Sequence, residues 1–310
     1  MTMTLRLGAF LLLVALLNPA SAEPTPLQIA TVAPGIWALV GEKTQRSPDN
    51  LGNNATFGVI ETSAGLVLVD PGGTYQGAAQ IDATLRTLSA KPVILVINTG
   101  GQDHRWLGNG YWKRHGARIV AANAAVADQR ARAGDEINAL YTLVGAAGAD
   151  GTEPVYADQT FDDALDLEVG GIRLALRHFG AAHTPGDSVV WLPAQGVLFS
   201  GDTIYLERML GVGPQSDIDS WIQVFDQIMT LPVTVLVPGH GSPADLAAAE
   251  RDTGTYLRTL RQRVAAFIED GGTLDAIRDV DQHEFLGLEQ ADPLAGRNAH
   301  EVFRQLEFKL

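Results

Sequence analysis

The strongest constraint on this chain is a twice-repeated succession of short apolar, β-branched runs, each closed by a polar or glycine-rich turn and interleaved with helical patterns. In the first set, residues 36–40, 55–61 and 66–69 read as hairpin strands separated by Gly/Asn-rich turns. Residues 76–88 read as a helix, with Ile81, Leu85 and Leu88 on one face. The almost wholly apolar run 93–97 predicts a strand covered on both sides. A helix over 106–115, a strand over 117–121 and a helix over 124–133 follow. After a Gly/Ala-rich stretch at 145–151, the second set supplies strands over 164–169, 172–179, 188–192 and 196–200. A helix over 219–230 carries Trp221, Val224, Phe225 and Ile228 on one side, and 233–237 is the next strand. Two such sets predict an α/β protein of two packed sheets with helices outside. Pro243 then starts a long helix to about residue 270, ended by Gly271-Gly272. Residues 271–310 predict shorter helices, 273–280 and 298–306, that cap the body or meet a partner or second copy.

Composition narrows the function. With 310 residues, 46% of them apolar, the chain can bury a real core. The absence of cysteine excludes a disulfide scaffold, a thiolate zinc finger, a cysteine-held iron–sulfur centre and a cysteine nucleophile. A formal charge of −14 argues against a phosphate-backbone groove, and so against nucleic acid as partner. At the N-terminus, Arg6, an apolar run over 7–17 and Asn18-Pro19-Ala20-Ser21-Ala22 predict a secretory signal, residues 1–22, cleaved before Glu23. That run is too short for a membrane span, which takes about 20 residues. The expectation is a mature protein exported to a periplasm without stable membrane insertion.

Polar clusters close four apolar strands: residues 98–104 after 93–97, His183 after 172–179, Ser200-Gly201-Asp202 after 196–199, and Pro238-Gly239-His240-Gly241 after 233–237. Strand ends that face one way are where α/β layers build sites. Imidazole and carboxylate donors suit a zinc ion with a position left for water. Asp103, His104, Asp202 and His240 are the candidate ligands.

This pattern resembles the metallo-β-lactamase superfamily, through Asp103-His104, Asp70 in Val69-Asp70-Pro71-Gly72, His183 in Ala182-His183-Thr184-Pro185-Gly186, Asp202 in Ser200-Gly201-Asp202, and His240 in Pro238-Gly239-His240-Gly241. The resemblance implies an αββα sandwich over residues 23–270 with a metal cleft at the sheet edge, and Asp70 as a buried acid behind the metal. The stretch around Asp103-His104-Arg105-Trp106-Leu107-Gly108-Asn109 also looks like the exported zinc metallohydrolases of quinoprotein relay systems. The first family motif, His-x-His-x-Asp-His, is depleted here: Thr99 and Gly101 stand at the two leading histidines. The expectation is therefore one zinc per chain on Asp103, His104, Asp202 and His240, with the glycine pair opening space where another metal sits in relatives.

The implied activity is a zinc-dependent hydrolase acting on a small amide or ester, a β-lactam or lactone foremost. His183, Asp202 and Asp103 are its expected catalytic groups. Asn98, Thr99, Gln102 and Asn109 are expected to position substrate or water. The alternative is a catalytically weak or inactive zinc-binding accessory protein of a periplasmic quinoprotein oxidation system.

Overall fold

A computed structural model describes residues 23–309; the expected signal segment lies outside the described residues. A seven-stranded sheet has the spatial order β1-β2-β3-β4-β5-β6-β7. It comprises β1 (Gln28–Ala33), β2 (Ile36–Val40), β3 (Thr56–Glu61), β4 (Leu66–Val69), β5 (Val93–Asn98), β6 (Arg118–Ala122) and β7 (Gln159–Phe161). β1 to β4 run antiparallel and β4 to β7 parallel. Tight turns can join the first group, whereas parallel neighbours need crossovers. These are α1 (Tyr75–Leu85), the short helix α2 (Asn109–Arg114) and the long helix α3 (Asn123–Ala149).

The second sheet has five strands. β8 (Ala164–Val169), β9 (Ile172–Arg177), β10 (Val189–Leu192) and β11 (Val197–Phe199) are antiparallel, and β12 (Val235–Val237) joins β11 in parallel. α4 (Ile218–Met229) crosses between those last two strands. α5 (Leu246–Ala249), a π-turn over Glu250–Gly254, α6 (Thr255–Glu269) and α7 (Ala291–Leu306) complete the chain.

Alternation on the strands puts Ile60, Val67, Val69, Leu95 and Ile97 against Leu176, Val190, Leu192 and Phe199 between the sheets. A side chain at Gly58 would strike the Phe199 ring, so a glycine there lets β3 and β11 close. α1 and α2 cover the outer face of the first sheet. α4, α6 and α7 cover the outer face of the second, with Trp221, Phe225, Tyr256, Leu260, Val302 and Leu306 in one cluster. The result is the αββα sandwich.

Several boundaries differ from the sequence reading. β1 was not expected, because its polar and apolar residues alternate weakly at an exposed sheet edge. β7 has three residues, too few for a periodic signal. The helix expected over 106–115 is a 3₁₀ turn at Asp103–Arg105 followed by α2. α3 does not stop at 133: alanines and charged residues with good helical propensity carry it to Ala149, through a kink at Gly145. Past the turn at Gly271, the first expected short helix is a 3₁₀ turn at Leu274–Asp279, and α7 begins seven residues earlier than the spacing suggests.

Candidate metal centre

The site lies where β4, β5, β11 and β12 end. Asp70 directly follows β4 and holds a left-handed backbone, φ 66°, a conformation that costs energy in a non-glycine residue. Its carboxylate fixes the next strand end: Thr99 N–H donates to it at 2.8 Å, the Thr99 hydroxyl at 2.8 Å, and Arg105 Nη1 at 2.8 Å. After β11, a 3₁₀ turn at Gly201–Thr203 presents Asp202. After β12, a β-bridge to Tyr205 holds His240.

His104 Nε2 is 3.1 Å from Asp202 Oδ2, and His240 Nε2 is 3.2 Å from Asp202 Oδ1. The two imidazoles meet edge to face, 5.1 Å between centroids. One donor atom from each of these three buried residues lies within 4.8 Å of the others. Two imidazoles and one carboxylate are a zinc-compatible set, so the residues fit a single ion.

Asp103, expected as a ligand, stands outside that group. It faces Arg46 and the Nδ1 of His104, the latter at 3.0 Å. Asp103 Oδ1 also accepts from the His104 backbone N–H at 2.7 Å, and Arg46 Nη2 lies 2.9 Å from His104 Nδ1, so Asp103 and Arg46 together hold that histidine in place. Burial alone would raise the Asp103 carboxyl, but Arg46 and His104 outweigh it and hold Asp103 well below the usual carboxylate range.

Arg105 is the residue the sequence reading missed. Its guanidinium is fully buried and forks onto Asp202, Nη2 to Oδ1 at 2.7 Å and Nε to Oδ2 at 3.1 Å, while also reaching Asp70 and the Gly239 carbonyl. Burial would push Asp202 up, yet Arg105 and the histidines hold it well below its ordinary value. A carboxylate so engaged is a ligand or anchor and a poor proton acceptor, which places Asp202, expected among both the ligands and the catalytic groups, on the side of the ligands. Two buried acids side by side required a cation, and that was the available signal.

The depleted motif leaves no open space. A Cβ on Gly101 would overlap the Asp128 carboxylate, and one on Gly100 would overlap that of Asp187. α3 fills the region: Gln129 Nε2 donates to the Gly100 carbonyl and Arg132 Nη2 to that of Gly101, each at 3.0 Å. Asn98 and Asn109 are paired to each other at 2.9 Å, and Thr99 is committed to Asp70. All three are fully buried structural groups away from the cavity wall, so the positioning role expected of them has no geometric support. Gln102 does line the cavity.

That cavity, of about 330 Å³, is bounded by His104, His240, His183, Tyr205 and residues of α3 and α7. His183 Nδ1 donates to the Gly211 carbonyl at 2.9 Å, which assigns the lone pair to Nε2. Burial lowers its pKa to about 4, so the ring is neutral at pH 7. Burial, reinforced by the Asp103 charge, pushes Glu136 up to about 8. Among the described residues no helix is long and apolar enough to cross a membrane.

The sequence profile of the Metallo-beta-lactamase superfamily matches residues 52–240. A metallo-beta-lactamase type 2 of Bacteroides fragilis is 31% identical over 85 residues, covering 26% of this chain and 34% of its own. A linear primary-alkylsulfatase of a Pseudomonas species is 23% identical over 245 residues, 68% of this chain and 45% of that one. The chain thus spans less than half the length of the curated relatives it matches. The solved structure of a stereoselective inverting sec-alkylsulfatase from Pseudomonas sp. superposes with a TM-score of 0.65 at 17% identity, covering 91% of this chain and 50% of that one. The sandwich, the strand-end site and a profile match over more than half of its length place this chain in the metallo-β-lactamase superfamily.

Proposed function

We propose that this protein is a mononuclear zinc hydrolase of a small cyclic amide or ester, with a β-lactam or lactone as first substrate class, working in a periplasm. The observation that carries the reading is the buried His104, Asp202, His240 group, whose two histidines line a cavity large enough for a small molecule. A bound zinc would supply Lewis acidity and a water acidified to a pKa of about 7. The protein's own groups do the rest. Asp103 orients His104, Arg105 fixes Asp202, and the neutral His183 Nε2 accepts a hydrogen bond from water in the cavity.

Metal analysis joined to hydrolysis of a chromogenic cephalosporin, a lactone and an alkyl sulfate tests this. About one zinc per chain and turnover abolished by chelation are expected; two tightly held zinc ions overturn the mononuclear reading. Bound zinc with no turnover favours the accessory role in a quinoprotein oxidation system. That second reading is supported by the extent to which Arg105 already engages both Asp202 oxygens. Export is tested by N-terminal sequencing of the periplasmic fraction, which should begin at Glu23.

A further inference from the structure

α3 changes character halfway along its length. Its first half carries Asp128, Arg130, Arg132, Asp135 and Glu136, whereas no charged residue stands between Ile137 and Ala149. On that second half, Leu140 and Val144 are buried in one cluster with Trp106 and Leu107, which accounts for one side of it. The other side is open: Ala139 and Leu143 are both exposed, Leu143 by 39%. A helix face that stays uncharged where it meets water marks a contact with something apolar. Ala139 and Leu143 are one turn apart and so share a face. That face is not a flat surface, for both residues line the cavity of His104 and His240, together with Leu294 of α7. Arg132, on the same wall, is tied to the Gly101 carbonyl. α3 therefore leads away from the metal loop, from charged residues to apolar ones. From Glu136 to Leu143 the helix advances roughly 10 Å, and its regular path breaks just beyond, at Gly145.

We propose that this strip holds the aliphatic tail of the substrate, an acyl or alkyl chain that extends from the histidines along Ala139 and Leu143 and against Leu294. The strip is continuous with the cavity that the metal donors line, and it lies between two helices, which suits a slender chain better than a macromolecule. A methylene fully buried there would tighten binding about fourfold, and one left partly open to water beside Leu143 about twofold. This deepens the hydrolase reading and rests on the cavity being the substrate site. It is tested by binding of neutral, unreactive chains, so its failure and the failure of that reading are distinguishable.

The test is a titration of the full chain, zinc-loaded and labelled at leucine methyls, with butanamide, hexanamide and octanamide, followed by nuclear magnetic resonance. The Leu143 and Leu294 methyls should shift together and saturate at one amide per chain, with the dissociation constant falling about two- to fourfold per added methylene. Leu286, exposed and outside the cavity wall, should stay still. Leu143→Asn and Ala139→Glu, both at exposed positions, should bring the three amides to within about twofold of one another, read at Leu294, with zinc content unchanged. Equal affinity of the three amides for the unaltered chain overturns the proposal. So does a Leu143 shift that follows phosphatidylcholine vesicles or protein concentration instead of amide, which makes the strip a membrane contact or an interface between copies. Turnover without the chain-length increment overturns this proposal and leaves the hydrolase reading standing; the increment without turnover does the reverse.

Discussion

His240 and His183 face the same cavity with different duties, and substitution separates them. His240 Nε2 belongs to the donor group, whereas the His183 ring is anchored to Gly211 and packs against Tyr205 and Trp221. His240→Ala, like His104→Ala, should lose the metal, while His183→Ala should keep it and lower turnover; metal per chain and kcat on any hydrolysed substrate read both. Asp103→Asn should keep the fold and weaken metal affinity about 10–100-fold, as loss of an outer partner of a ligating histidine does, measured by chelator competition. A second residue offers a pH test. Burial pushes the Asp187 carboxyl up to about 8, although Thr184 N–H and hydroxyl both point at it. Between its ordinary value near 4 and about 8, the native state holds a proton that the unfolded chain has lost. Stability therefore falls with rising pH through that window by about 1.4 kcal/mol per unit from this group. Asp187→Asn removes that slope, so the two unfolding free energies should diverge between pH 5 and 8 in favour of the variant. His104, Asp202 and His240 were legible as residues because metal donors at strand ends are few. Arg105 was not, because its burial depends on two acids far away in sequence, Asp70 and Asp202.

At the level of elements, strand ends were readable and helix lengths were not. Uninterrupted apolar runs such as residues 93–97 define a covered strand whatever surrounds them. α3 has no strong amphipathic stripe, because its single buried face mixes polar with apolar residues: Asp128, Gln129 and Glu136 share it with Ala133, Leu140 and Val144, and Gln129 and Arg132 hold the loop at Gly100-Gly101. That contact decides what the depleted motif can hold. Restoring a histidine by Gly101→His should not create another metal site, since the imidazole must displace Asp128 and break its pairing with Arg132. The expected outcome is an overpacking cost of about 1–3 kcal/mol, read by urea denaturation, with metal content unchanged. Gain of a second zinc equivalent without loss of stability would show that α3 yields easily and that the glycines do leave room.

For the whole molecule, the last forty residues bear on the site through the segment that crosses in front of it. Residues 205–216 carry Tyr205, Arg208 and Gly211, which supply the cavity wall and the anchor of His183. Asn298 on α7 holds that segment: its Oδ1 accepts from Val212 N–H at 2.8 Å and its Nδ2 donates to the Leu210 carbonyl at 2.8 Å. Gln305 does the same at the far end, accepting from Ile218 N–H and donating to the Ser216 carbonyl. The sequence showed a helix here but gave no sign of its use, because side-chain bonds to a distant backbone leave no periodicity. Asn298→Ala strands two buried backbone groups, at about 1–3 kcal/mol each. It should therefore lower stability by about 2–5 kcal/mol and reduce turnover while metal content stays constant. Gln305→Ala, which leaves both neighbours of Gly211 held by Asn298, should cost stability with less effect on turnover. Val302, Phe303 and Leu306 share one cluster with Trp221 and Leu260, so removing residues 271–309 should unfold the second sheet's outer layer and not merely trim it. Circular dichroism melts of the truncated and full chains decide this: a cooperative transition within a few degrees of the full chain's would mean that α7 is an accessory layer and the segment it grips stands without it.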